Sequence, residues 1–160
     1  MTSGARSKRY GVVSHEQRHA MSGLEFVQCL VSGTLPLNNM AETLGYDIVE
    51  ATSGRVAITA MPTSRHLNPA GGVHGGLAAT LLDSCMGCAV HTTLPAGVGY
   101  ATTDLQVRYI RAMSADTGRV LAEGSVIHLG SRTATAEGRL SAEADGRLIA
   151  HASTGCVIFR

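Results

Sequence analysis

Residues 15–32 carry Met21, Leu24, Phe26, Val27, Leu30 and Val31 at helical spacing. This predicts one helix, closed by Gly33. Residues 1–14 read as a loose tail, and residues 34–39, with Pro36, as a linker. Residues 44–51 and 56–61 then read as two strands joined into a hairpin through the turn at residues 52–55. Residues 62–76 break the pattern with Pro62, Pro69 and the glycines 71, 72, 75 and 76. Over residues 77–92 Leu77, Leu81, Cys85 and Cys88 recur at i, i+4, i+8 and i+11 with Ala, Leu and Met between them. Such a helix is apolar nearly all round and is expected to be buried. Four β-like runs follow, at residues 100–113, 119–129, 132–142 and 148–159. The last three are joined by short turns at Gly130-Ser131 and Asp145-Gly146, as an antiparallel meander requires.

One helix, two strands, a central apolar helix and four strands predict an α+β fold. An antiparallel sheet wraps around the central helix, and an extra helix precedes it. The 160 residues suffice for one compact core. Residues 1–36 are assigned to an N-terminal tail and helix, and 37–160 to the main domain.

Composition narrows the function. Hydrophobic residues make up 44% and charged ones 16%, which excludes a solvated, disordered chain. Thirteen Lys and Arg against twelve Asp and Glu, with no Trp and two Phe, lack the basic and aromatic surface of a nucleic-acid binder. The longest apolar stretch, residues 24–31, is interrupted by Glu25 and Gln28 and cannot span a bilayer. No apolar segment follows the basic residues Arg6, Lys8 and Arg9, so no secretory signal is read. The four cysteines sit among apolar or small neighbours and read as free thiols. A cytoplasmic protein is therefore expected.

One helical position breaks the apolar pattern. Asp83 lies mid-helix, and its neighbours at i±3 and i±4 are Ala79, Thr80, Met86 and Gly87, none of them cationic. Asp is a poor residue for a helix interior, and a carboxylate in apolar surroundings needs a partner or a task. A structural role, bonded to another segment, is the plain alternative. The loop upstream, Asn68-Pro-Ala-Gly-Gly-Val-His-Gly-Gly76, runs straight into the helix. Gly75 and Gly76 leave unscreened N–H groups at a helix N-terminus, which can hold an anion or a developing oxyanion. A tight packing turn is the plain alternative here. The loop lacks the Gly-Lys-Ser/Thr of a phosphate loop, and the chain has no Gly-x-Ser-x-Gly elbow. Cys85 and Cys88 have CxxC spacing, but they lie within the helix and have no second pair. They read as core thiols, with no metal site.

Asn68, His74-Gly75-Gly76 and Asp83, nine residues after the histidine, resemble the hotdog-fold acyl-CoA thioesterases of the PaaI-like branch of the 4-hydroxybenzoyl-CoA thioesterase superfamily. The resemblance covers roughly residues 44–159. It extends to Thr102-Thr-Asp-Leu-Gln-Val-Arg-Tyr-Ile-Arg111, the Thr117-Gly118 turn and Asp145-Gly-Arg-Leu-Ile-Ala-His151. Ala112-Met113 departs from it, since the family often has a proline after the matching arginine.

The resemblance implies a homodimer, or a dimer of dimers, with the active site between subunits. It implies an acyl-CoA substrate and no cofactor. Gly75 N–H would polarise the thioester carbonyl with Gly76 beside it, Asn68 would help place it, and His74 would orient the loop. Asp83 of the facing subunit would act as general base or nucleophile, and Thr102 would position it. Arg108, Arg111 and Arg132 are candidates for the CoA phosphates. The rival readings are a hotdog dehydratase or hydratase and a non-catalytic acyl-CoA-binding module.

Overall fold

The computed structural model describes residues 9–160. Its elements are α1 (His15–His19), α2 (Gly23–Ser32), α3 (Asn39–Leu44), β1 (Tyr46–Thr52), β2 (Arg55–Ala60), a 3-10 turn (Ser64–His66), α4 (Gly75–His91), β3 (Gly99–Tyr109), β4 (Val120–Leu129), β5 (Thr133–Ala142) and β6 (Leu148–Phe159). The six strands form one sheet in the order β1-β2-β4-β5-β6-β3, and every neighbouring pair is antiparallel. β4, β5 and β6 are the expected meander, while β3 returns to the far edge beside β6. The sheet curves around α4, as the apolar helix predicts.

Small residues make that wrapping possible. The sheet face toward α4 carries Ala122, Ala134, Ala136, Ala150 and Ala152, all at most 4% exposed. At Gly124 a Cβ would come within 2.5 Å of the Cys85 backbone, and at Gly138 within 3.0 Å of the Met86 side chain. The helix therefore rests on the sheet almost backbone to backbone. Leu77, Leu81, Leu82, Met86 and Val90 fill the space on either side.

Several expectations are corrected. The helix over residues 15–32 is two helices. Ser22 accepts from Glu25 N–H at 3.3 Å while the Glu25 carboxylate accepts from Ser22 N–H at 2.8 Å. This capping box starts a new helix at Gly23. α3 fills residues 40–43, which had no assigned element, and takes in the last residue of the expected linker and the first of the expected strand. Asn38 Oδ1 caps it through Ala41 N–H at 2.8 Å, and Gly45, at φ 70°, ends it, so β1 begins at Tyr46. Part of the expected tail, residues 1–8, lies outside the described residues. Residues 9–14 are not loose: Gly11 N–H donates to Leu37 O at 2.8 Å, Leu37 N–H donates to Arg9 O at 2.9 Å, and Val13 is buried. β3 stops at Tyr109, because the N–H groups of both Ile110 and Arg111 turn to Ile149 O. α4 is not covered all round. Ala79, Thr80, Asp83 and Ser84 form a half-buried stripe that the sheet leaves open. Among the described residues no helix is long and apolar enough to cross a membrane.

The backbone contact at Gly124 generates a prediction. Gly124→Ala should destabilise the fold by about 1–3 kcal/mol through overpacking. Urea unfolding should show this as a lower midpoint at an unchanged slope.

Candidate active site

The loop before α4 is built by side chains that satisfy backbone groups. His66 Nδ1 accepts from Thr63 N–H at 3.0 Å, so its Nε2–H donates to Leu44 O at 3.1 Å. Leu67 and Val73 form an antiparallel bridge. Between them Asn68 Oδ1 accepts from Ala70 N–H at 2.9 Å and Gly72 N–H at 3.2 Å. Gly71, at φ 85°, makes the turn that an L side chain would strain. Val73 N–H donates to Met113 O at 3.0 Å. Met113, at the departure from the family's proline, is thus a buried brace for the loop. The Asn68 carboxamide oxygen is spent on the loop, and its Nδ2 is not part of these bonds.

His74 is the N-cap of α4, and its Nδ1 accepts from Gly76 N–H at 2.8 Å. The neutral ring therefore carries its proton on Nε2. The Gly75–Gly76 peptide is held from its other side as well, since Tyr109 Oη donates to Gly75 O at 3.0 Å. Tyr109 also packs where a Gly75 Cβ would lie, with ring atoms at 3.0 Å. One donor remains: Gly75 N–H makes no hydrogen bond among the described residues. It sits at the positive end of a 17-residue helix and opens on a cleft of about 400 Å³ lined by Tyr109, Ile110, Arg111 and Ile149. Gly76, by contrast, has its N–H engaged.

Asp83 is half-buried on the open stripe of α4, and its Oδ1 accepts from Thr102 Oγ1 at 2.9 Å. The partner absent from its own helix thus comes from β3. A bulge in the β3–β6 ladder between Thr102 and Asp104 turns the strand there. Thr154 Oγ1 secures the bulge by donating to Asp104 O at 2.7 Å. Gly155 fits beneath it, where a Cβ would meet the Asp104 carboxylate at 2.4 Å. Within one chain Asp83 and Gly75 stand eight residues apart (83 − 75) on the same helix. At 1.5 Å of rise per residue that is about 12 Å, too far for both to touch one carbonyl group.

The three arginines do not converge. Arg111 lines the Gly75 cleft, and its guanidinium donates to Leu148 O at 2.8 Å. Arg108 stands in a cross-strand row with His151 and Arg139 on the sheet face away from α4. Arg132 lies at the other end of the sheet, its carbonyl accepting from Ile158 N–H at 2.9 Å. Sequence reasoning passed over Tyr109, although Leu105, Val107 and Tyr109 alternate toward the helix. A tyrosine on the inward phase of a strand needs a hydroxyl partner, and that was the available signal.

The fold and these contacts define a class, a helix-in-sheet protein with an amide donor at the helix start and a carboxylate at its middle. The model of the Thioesterase superfamily matches residues 70–149. A provisionally named esterase of Halobacterium salinarum is 33% identical over 114 residues, 68% of this chain and 73% of that protein. A phenylacetic acid degradation-related protein of Ralstonia eutropha JMP134 superposes with a TM-score of 0.73 at 28% identity, over 81% of this chain and 97% of that one. The PaaI protein of the Escherichia coli phenylacetic acid degradation operon shares the fold, with a TM-score of 0.74 at 18% identity, over 87% and 94% of the two chains. The chain belongs to the thioesterase superfamily, as a PaaI-like hotdog protein.

Among the described residues no three His, Cys, Asp or Glu side chains are grouped to hold a metal ion. Cys85 is buried, with its Sγ against Leu82 O at 3.3 Å. Burial, then the neighbouring Cys88, pushes its thiol far up. Burial, then the Asp83 charge, pushes Cys88 up to about 12. Raised values keep both as thiols where an ordinary cysteine, near 9.0, begins to ionise. At pH 8 a disulfide reagent should therefore leave Cys85 and Cys88 unmodified in the native protein and reach them after unfolding. Rapid native labelling of either, located by mass spectrometry, would contradict this environment.

Proposed function

We propose that this protein hydrolyses an acyl-CoA thioester to the free acid and CoA, in a site shared by two copies of the chain. The carrying observation is that one helix holds an unsatisfied amide donor at its first residue and a hydroxyl-supported carboxylate about 12 Å further along, on the stripe the sheet leaves open. A second copy packed against that stripe brings the Asp83 of one protomer to the Gly75 of the other. The neighbouring edge strand β3 has one side unpaired and is exposed over much of its length, so the sheet can continue into the second copy. Residues 37–160 would form the thioesterase domain, with residues 1–36 an addition to it.

In this reading Gly75 N–H, aided by the α4 dipole and by the Asn68 Nδ2 donor, binds the thioester carbonyl oxygen and stabilises its developing charge. Asp83 of the partner subunit takes a proton from water, whose oxygen bonds to the acyl carbon, or attacks that carbon itself. The C–S bond breaks and the proton held by Asp83 passes to the leaving sulfur, so CoA leaves as a thiol. Where Asp83 attacks instead, CoA leaves as a thiolate, water hydrolyses the acyl–aspartyl anhydride, and the proton released ends on the thiolate. A thioester carbonyl is electrophilic enough for one carboxylate and one oxyanion donor to suffice without a triad. His74 has a structural task already, since its Nδ1 is engaged by Gly76 N–H. Arg111, at the mouth of the cleft, is the best placed of the three arginines to meet a CoA phosphate.

Asp83→Asn should keep the fold and lower kcat by about 10²–10³, the scale of a lost acid–base group. Thr102→Ala should cost about 1 kcal/mol of transition-state stabilisation, one hydrogen bond's worth. CoA release measured across several acyl-CoAs tests both, and near wild-type turnover by Asp83→Asn would sink the reading.

The shared site has its own test. Gly75→Pro removes the N–H at a first helical position whose backbone suits proline, and because its ring must displace the Tyr109 side chain the variant's melting temperature is checked first. Mixing inactive Gly75→Pro with inactive Asp83→Asn should restore about a quarter of wild-type activity. Random pairing makes half the dimers mixed, and each mixed dimer has one intact site of two. Failure to recover activity after verified subunit exchange would overturn the shared site.

A further inference from the structure

A second cleft, of about 460 Å³, lies between α1 and the C-terminal end of α4. Its walls include His15, Arg18, His19, His91, Tyr100 and Phe159, and no Asp or Glu lines it. The chain fixes this arrangement. Gly23 N–H donates to Leu94 O at 2.9 Å, and a Cβ on Gly23 would collide with the His91 carbonyl, so the start of α2 seats directly on the end of α4. α1 is thereby held over the cleft. The His15 and His19 rings stack with centroids 4.4 Å apart, and His19 lies over Gly97, 3.8 Å from where a Cβ would be. The half-buried His91 ring meets Tyr100 with centroids 5.4 Å apart. Burial, then the nearby charge of Arg18, holds His91 below the ordinary imidazole range.

His91 also packs on Phe26 with ring centroids 5.2 Å apart, whereas the fixed cation Arg18 has no evident structural duty. The Arg18 guanidinium makes no ion pair or hydrogen bond among the described residues. The carbonyls that end α4 are already taken, with Cys88 O, Val90 O and His91 O accepting from Thr92, Thr93 and Leu94 N–H groups. Arg18 and Arg160 bring fixed positive charge to the wall, and with no Asp or Glu side chain there that charge favours an anion. The donor supply is large: five N–H on a guanidinium and at least one on each of three imidazoles. That exceeds the roughly four acceptor sites of a single carboxylate and matches the oxygens of a phosphate or diphosphate. Phe159, 52% exposed, adds an aromatic surface.

We propose that this cleft binds a phosphate-bearing ligand. It stands apart from the Gly75 cleft, and α1 lies outside residues 70–149, which carry the family match. Titration calorimetry of the full chain with pyrophosphate and with adenosine 3′,5′-bisphosphate should show binding. Arg18→Gln and His19→Gln should each weaken it at least about tenfold, with Arg18→Lys partly retaining it and the melting temperature unchanged. No binding of either probe at millimolar concentration, or binding indifferent to both Gln variants, would overturn the proposal. A second arm separates the two sources of the phosphate and rests on the proposed hydrolysis, whereas the titration does not. If Arg18→Gln raises KM for acyl-CoA and not for the phosphate-free acyl-N-acetylcysteamine, the ligand is the substrate's own nucleotide. If both KM values stay while probe binding is lost, a separate phosphate ligand occupies the cleft.

Discussion

The near contact of the α4 backbone with the sheet at Gly124 governs the rest of the molecule. A helix whose Cys85 peptide sits where the next strand's Cβ would be cannot slide or rotate without losing that fit. Close packing of this kind has few alternatives, because interiors tolerate neither voids nor overlap. The alanines around it have the same effect, keeping the sheet surface low enough for a 17-residue helix to lie in its curve. Helix rotation is thereby set, and with it the side of α4 that carries Asp83. That side looks out between the helix and β3, so the carboxylate meets Thr102 and not the apolar interior.

Backbone accounting at the helix start has a similar logic. The first N–H groups of any helix lack internal partners, and each must be satisfied or left to a ligand. Here Gly76 N–H is taken by His74 Nδ1, and Leu77 N–H by His74 O at 3.0 Å, while Gly75 N–H is left over. Tyr109 fixes the following carbonyl from outside. The orphan donor is therefore held in direction by three surrounding contacts, which is what preorganisation for an oxyanion requires. The glycines serve this geometry sterically, since any Cβ at position 75 presses on the Tyr109 ring.

How far the sequence could be read depends on the range of the interactions. The central helix, the hairpin and the meander were legible because their signals are periodic and local. The loop motif and Asp83 stood out as candidates, since glycines before a helix and an acid inside one are both locally anomalous. The partner of Asp83 could not come from spacing alone. Thr102 is 19 residues away, on a strand that crosses the whole sheet to reach the far edge. The errors were of another kind. Ser22 and Glu25 spell a capping box that the continuous apolar periodicity of residues 21–31 hid, and Asn38 with Gly45 brackets a helix too short to show a period of its own. The open stripe on α4 was missed because composition shows that a helix is apolar, not which side of it the sheet leaves uncovered.

The addition before α3 illustrates how a peripheral segment acquires a defined position. Several contacts tie it down, among them the short parallel pairing of Tyr10 with Leu37, the bond from Gly23 N–H to Leu94 O, and the α2 packing that puts Val27 in the core with no exposure. α1 itself buries nothing, so packing alone does not account for its residues. Its five residues include two histidines and an arginine and present them toward the only part of α4 where an imidazole, His91, is half-buried. A helix too short to be stable alone is held by its connection to the seated α2 and by its Ser14 cap, accepting from Gln17 N–H at 3.2 Å. Such a helix contributes surface, and here it brings Arg18 and two imidazoles to the end of α4. The Asp83 carboxylate and the Gly75 amide lie along one rigid helix, so their separation is set by helix geometry, whereas Arg18 is placed by the seating of α2 on α4.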